Sequence, residues 1–230
     1  MRLHEKLHGK EADFTMSGHE LHVISNDRLA WSELAAIAAK IHPYVTAIHI
    51  REKKKPMDEI FIGLQYLLDQ GVPAQRLCVN GFPWMAAAAG LGALHMPESS
   101  PPFPAIRESC GGGWKRAGIS VHSAEEAVKR EREGADYVLF GHMYATNSKP
   151  GLPPRGLEQL RELAAQVKIP VIAIGGITPE RTREVLDAGA SGIAVMSGIW
   201  EAADPVAAVN AYQHELQRDE NRGELNAAYK

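Results

Sequence analysis

A unit that recurs along this chain limits its fold more than any other feature: an amphipathic helical run, a glycine, then a short apolar strand. It reads LLDQGVPAQRLCVNG, AAAAGLGALHMP, REGADYVLFG and LDAGASGIAVMSG. Gly71, Gly90, Gly134 and Gly189 stand where a helix ends on a left-handed residue, a conformation glycine reaches without a Cβ clash. The strands that follow, such as YVLF and GIAVM, are apolar throughout rather than alternating, as parallel strands covered on both faces are. Strands are predicted near residues 20–25, 46–51, 76–80, 91–96, 116–122, 136–141, 170–174 and 192–196. Amphipathic runs such as ELAAIAAKI, LEQLRELAAQV and PERTREVLDA fill the gaps. Eight alternations in about 200 residues predict a single (β/α)8 TIM barrel, with an open doubly wound sheet as the alternative.

The barrel is placed at 19–215, after a flexible N-terminal extension over 1–18 and before a polar C-terminal tail over 216–230. The extension, MRLHEKLHGKEADFTM, is charged and has no apolar signal core, and Met16 is an equally good start. No apolar run approaches the roughly 20 residues of a membrane span. A net charge of −3 and a pI near 6.4 speak against a nucleic-acid footprint. Cys78 and Cys110 are the only cysteines and have no paired spacing, which points to a reducing cytoplasm rather than disulfides or zinc. The basic run Lys53–Lys54–Lys55 reads as a solvated loop. Oligomeric state is open; an exposed apolar helix face could support a homodimer.

Barrel chemistry gathers at the C-terminal ends of strands. Strand seven ends PVIAIGGITPE: Gly175 and Gly176 close it, and Thr178 caps a helix with Pro179 at its first position. Strand eight runs GIAVMSGIW, with Ser197 and Gly198 opening the last helix. Loops after strands seven and eight commonly bind phosphate through backbone N–H groups and a helix N-terminus, and glycines let the anion approach. The bland alternative is that these glycines only relieve crowding. Strand two ends HIREKKK, and extended alternation sends Arg51 and Lys53 to one side, as anion ligands or as solvated charge. Asn80 in an Asn-Gly turn ends strand three. Strand six runs into FGHMYATNSKPGLPPRG, a loop long enough to be a lid carrying Thr146, Ser148 and Lys149; His142 is either a cavity residue or a structural histidine.

A magnesium diphosphate site wants paired carboxylates at this mouth. Glu98 is the only one expected there, and the HxxH spacing of His19 and His22 puts them on opposite faces of an extended segment, so no metal and no cofactor is assigned. His122, in GISVHSAEEA, precedes a capping box formed by Ser123 and Glu126, and so stands at the lip of strand five. An imidazole titrates near neutral pH and can accept or donate a proton there. Position alone leaves His122 as either the proton-transfer group or a ring packed on the mouth.

The segments HIREK, SVHSAEEA, GADYVLFGHMYAT and PVIAIGGITPE…AGASGIAVMSGI are similar to the thiamine phosphate synthase and thiazole tautomerase superfamily from about residue 20 to 212. The resemblance implies a (β/α)8 barrel that binds a thiazole ethyl phosphate. In the synthase branch, two aspartates after strands three and four hold magnesium. Here Gly81 stands at the first position, and Ser99 or Ser100 at the second. VNG, SVHS and GH resemble instead the tautomerase branch of TenI type. That branch isomerises the product delivered by thiazole synthase, an alkylidene dihydrothiazole carboxylate phosphate, to the aromatic carboxythiazole ethyl phosphate. The resemblance places the acid–base histidine on His122; a thiamine phosphate synthase and a non-catalytic regulatory protein are the alternatives.

Overall fold

The computed structural model describes residues 18–146 and 148–218. The expected N-terminal extension, but for Gly18, lies outside the described residues, as does most of the expected tail. Eight strands run in order: β1 (Glu20–Ile24), β2 (Ala47–Ile50), β3 (Leu77–Asn80), β4 (Ala93–Met96), β5 (Arg116–Val121), β6 (Tyr137–Gly141), β7 (Val171–Ile174) and β8 (Gly192–Val195). Each pairs in parallel with the next, and β8 closes on β1 through registers such as Leu21 with Ile193. The barrel and all eight strands stand as predicted, each boundary within two residues. The four helix-ending glycines have φ of +85° (Gly71), +63° (Gly90), +85° (Gly134) and +97° (Gly189).

The crossovers are α1 (Trp31–Ile41), α2 (Met57–Asp69), α3 (Pro83–Ala88), α4 (Phe103–Cys110), α5 (Ala124–Arg132), α6 (Gly156–Ala164) and α7 (Pro179–Asp187). After β8 come α8 (Ser197–Trp200) and α9 (Pro205–Gln217). Ser197 and Gly198 therefore open a one-turn helix rather than the long last one. That helix begins at Pro205, where the Asp204 carboxylate accepts from the N–H groups of Val206 and Ala207. Thr178 precedes α7 but makes no side-chain cap; Pro179 at the first position sets the turn.

Alternation along each strand divides the core in two. Leu21, Val23, Ile48, Ile50, Val79 and Leu94 face outward into a large cluster with Leu34, Ala38, Leu64 and Leu67 of the helices. Inside the barrel, Ile24, Leu139, Ile172 and Ala194 pack around Tyr137. The expectation of strands apolar on both faces holds for β6 to β8 and fails for β1 to β5. There the inner positions include His22, His49, Cys78, His95, Arg116 and Ser120, and the buried ones satisfy each other by hydrogen bonds, which makes such burial tolerable. Gly118 exists for this interior: a Cβ on it would lie 2.0 Å from the Tyr137 ring.

Candidate functional site

A cavity of about 900 Å³ opens at the C-terminal end of the barrel. Arg51 and Lys53 reach it from the end of β2, Asn80 from β3 and His122 from β5. His142, Thr146, Ser148 and Lys149 line it from the β6–α6 loop, and Gly175, Gly176, Ser197 and Gly198 from the ends of β7 and β8. All twelve sequence candidates thus share one cavity, because parallel closure brings every strand's C-terminal end to the same mouth.

Gly175 and Gly176 have φ of +104° and +67°, and a Cβ on them would press into His142 (2.5 Å) and into the Ala145 carbonyl (2.8 Å). Close packing of the neighbouring loop thus demands glycine here on its own account, so relief of crowding and room for an anion coincide. A helix leaves its first N–H groups without intrahelical acceptors, and Ser197 and Gly198 at the start of α8 border the cavity. The lid-like loop carries a turn in its middle and is anchored to the barrel where it ends. Lys149 N–H donates to the Thr146 carbonyl at 3.1 Å. Arg155, which sequence reasoning missed, donates to the His122 carbonyl at 2.6 Å and the Gly141 carbonyl at 3.2 Å. His142 is buried, its Nε2 lying 3.2 Å from the Leu152 carbonyl, while its Nδ1 has no partner. It is a cavity residue and a loop anchor at once.

His122 is held by its backbone and left open at its ring. Its N–H donates to Glu126 Oε2 at 2.8 Å, and Ser123 Oγ accepts from Glu126 N–H at 3.1 Å. The expected box therefore forms with its reciprocal bond one residue earlier, on the histidine itself. The ring's Nε2 lies 3.0 Å from Glu98 Oε2, with the two side chains 36% and 45% exposed, while Nδ1 is buried without a partner. Nε2 is the ring nitrogen on the cavity side, and its partner is a half-exposed carboxylate.

Two sequence expectations need correction. Glu98 is not the only carboxylate at the mouth: Glu52 lines the cavity, is buried, and bonds Lys55, while its Oε1 has no partner. The lysine run is not uniformly solvated either. Lys55 Nζ also donates to the Leu29 carbonyl at 3.2 Å and sits 5.0 Å over the Trp31 ring, so only Lys53 and Lys54 are exposed. The residues do not fit a magnesium diphosphate site. Mg²⁺ is commonly held by one or two carboxylates; both cavity carboxylates already face a nitrogen partner. Positions 81, 99 and 100 carry none, and no group of three His, Cys, Asp or Glu gathers for a metal among the described residues.

The cavity floor is polar in a way the sequence did not announce. Ser120 and His95 line it; His95 Nε2 lies 3.0 Å from Ser120 Oγ and its Nδ1 3.1 Å from the Tyr137 hydroxyl. Alternation from His122 could have found Ser120, two residues earlier on the same face. Burial pushes His95 down to about 3 and the Tyr137 phenol well above its usual value, so both stay neutral at ordinary pH.

A sequence profile of the family described as thiamine monophosphate synthase matches residues 21–199. The chain belongs to that family. Over 203 residues it is 35% identical to a thiamine-phosphate synthase of Roseiflexus castenholzii, covering 85% of this chain and 87% of the relative. A thiamine-phosphate synthase of Chlorobium phaeovibrioides is 41% identical over a shorter stretch of 134 residues, 58% of this chain and 64% of that protein. Among solved structures, the thiamine phosphate pyrophosphorylase of Pyrococcus furiosus superposes with a TM-score of 0.72 at 30% identity, over 86% of this chain and 96% of that one. A TIM-barrel enzyme family of thiamine biosynthesis is therefore shown, and no helix among the described residues is long and apolar enough to cross a membrane.

Proposed function

We propose that this family member is a thiazole tautomerase, an isomerase that needs neither metal nor cofactor. The observation that carries the reading is the composition of the cavity. An imidazole whose cavity-side nitrogen meets only the half-exposed Glu98 carboxylate shares the cavity with glycine-rich strand ends, while Gly81 and the Ser99–Ser100 pair occupy the places where the synthase pattern has acids. The substrate would be the alkylidene dihydrothiazole carboxylate phosphate released by thiazole synthase. Its phosphate would rest on the backbone at Gly175, Gly176, Ser197 and Gly198, where helix-end N–H groups favour an anion. Arg51, Lys53 or Asn80 would orient its carboxylate, and Thr146, Ser148, Lys149 and His142 would close over it from the lid.

The chemistry then asks for one proton transfer. On His122, Nε2 carries a hydrogen while it donates to Glu98. Once that half-exposed carboxylate swings aside and the neutral ring takes its Nδ1–H tautomer, Nε2 is bare and takes the proton from ring C2. The resulting imidazolium returns the proton to the exocyclic carbon. Proton count is conserved, and the electron pair freed at C2 completes the aromatic ring. A single base on one face of a flat ring can perform both halves.

The names of the relatives favour a second reading, a synthase joining a pyrimidine diphosphate to the thiazole phosphate. One experiment separates the two. Purified protein is given the dihydrothiazole substrate alone, or both synthase substrates with Mg²⁺, and the products are resolved by chromatography. Aromatic carboxythiazole phosphate in the first and no thiamine phosphate in the second is the expected result. Thiamine phosphate in the second, with no acceleration in the first, would replace the tautomerase reading.

A further inference from the structure

The proposed reaction leaves one buried cluster without a task. Beneath the cavity, Arg116 donates from Nη1 and Nη2 to the Glu20 carboxylate at 2.7 and 2.8 Å. Glu20 Oε2 lies 2.9 Å from His22 Nε2, His22 Nδ1 lies 2.9 Å from His49 Nε2, and His49 Nδ1 lies 3.1 Å from the Asn80 side-chain oxygen. Asn80 is the cavity end of this file, while His22 and His49 are 1% and 0% exposed. Around the two rings stand Glu20 from β1, Cys78 from β3, His95 from β4, Arg116 from β5 and Tyr137 from β6.

The hydrogens along such a file can be counted. Glu20, taking two bonds from a guanidinium, is a carboxylate and can only accept, so His22 Nε2 carries a hydrogen. With both rings neutral, His22 Nδ1 is bare and must accept from His49 Nε2–H. His49 Nδ1 is then bare too and must be met by the Asn80 NH₂, which leaves the Asn80 carbonyl toward the cavity. With one extra proton on the pair, whichever ring holds it, His49 Nδ1 carries a hydrogen and donates to Asn80 Oδ1. The Asn80 NH₂ then turns to the cavity. The amide exchanges its two ends by a half-turn in the same space, so the 3.1 Å contact between Asn80 and His49 Nδ1 serves either state.

We propose that Asn80 reads a substrate anion through this file: an anion at its cavity end draws one proton onto the His22–His49 pair, and Glu20 is the positioning residue that holds that charge. The file is a property of the barrel alone; only the identity of the anion, the substrate carboxylate, rests on the tautomerase reading. Burial holds both histidines below their ordinary value, His49 well below, so the empty cavity has a neutral pair and the proton arrives with the ligand. Linkage then requires affinity for the anion to fall about tenfold per pH unit wherever the free pair is neutral and the bound pair holds its proton.

The test uses the full chain with ¹⁵N-labelled histidines, whose NMR signals distinguish Nδ1–H from Nε2–H. At pH 8 the free protein should show His22 and His49 both as Nε2–H. Saturation with carboxythiazole ethyl phosphate should move His49 to Nδ1–H. Calorimetry in two buffers of different ionisation heat should record uptake of one proton. Thiazole ethyl phosphate, which lacks the carboxylate, should do neither; the same change with both compounds supports the linkage and puts the phosphate at Asn80. Glu20→Gln should abolish the uptake and flatten the tenfold dependence, a readout that a role in folding alone would not move. If the carboxylated compound does not bind, the tautomerase reading fails, and the free wild-type protein decides by acid titration. His49 must then change tautomer in step with one proton entering the pair. A His49 that keeps one tautomer with ligand bound, or, where nothing binds, down to acid unfolding, overturns the proposal.

Discussion

Replacing His122 by alanine separates the imidazole's chemistry from its place in the fold. The backbone at this position is anchored independently of the ring, by Glu126 on its N–H and Arg155 on its carbonyl. The side chain is 36% exposed, and its one ring partner is a half-exposed carboxylate. Stability should therefore change within about 0.5 kcal/mol, the ordinary range for surface substitutions. Loss of a general acid–base group typically costs about 10²–10⁴ in rate, or about 2.7–5.5 kcal/mol at 1.36 kcal/mol per tenfold. Glu98→Gln provides the internal scale. An exposed pair of this kind contributes about 0.2–1 kcal/mol after solvent screening, so its removal should slow turnover by no more than about fivefold. The assay follows appearance of the aromatic product by absorbance, with thermal melting and product binding measured in parallel. The expected result is a His122→Ala protein that melts like wild type, binds product, and has lost at least a hundredfold in kcat. Isomerisation at the wild-type rate, or a larger loss from Glu98→Gln than from His122→Ala, would refute the assignment.

Two further outcomes test the interior. His95 has a folded value of about 3 against an ordinary 6.5, so the unfolded chain binds the extra proton, and stability falls as pH drops below about 6.5. That one group should remove about 2 kcal/mol between pH 7.5 and 5, and His22 and His49 act in the same direction; urea midpoints at the two pH values check this, and equal midpoints would contradict it. Gly118→Ala forces a methyl against the Tyr137 ring 2.0 Å away and should cost about 1–3 kcal/mol by overpacking, read from the same urea curves and partly relieved by Tyr137→Leu in the double variant.

Much of this molecule follows from signals only a few residues long. A helix-ending glycine, an apolar run and a polar strand end are local features, and parallel closure converts them into a barrel with all its strand ends at one mouth. That is why Arg51, Lys53, Asn80, His122 and the Gly175–Gly176 pair could be placed at a shared cavity from their position in the unit alone. What faces what across the barrel was not legible. Glu98 meets His122 and Arg155 meets the His122 carbonyl only because of strand register and loop course. Glu52, passed over in the sequence beside the lysine run, turns inward onto Lys55. The file from Arg116 through Glu20, His22 and His49 to Asn80 joins residues from four strands, up to 96 positions apart. Periodicity tells which side of a strand a residue takes; register tells which neighbour it meets, and a one-residue slip would change every pair. The sequence by itself thus determined the barrel and the membership of its mouth, while the tertiary structure alone decided the pairings that assign each polar group its proton.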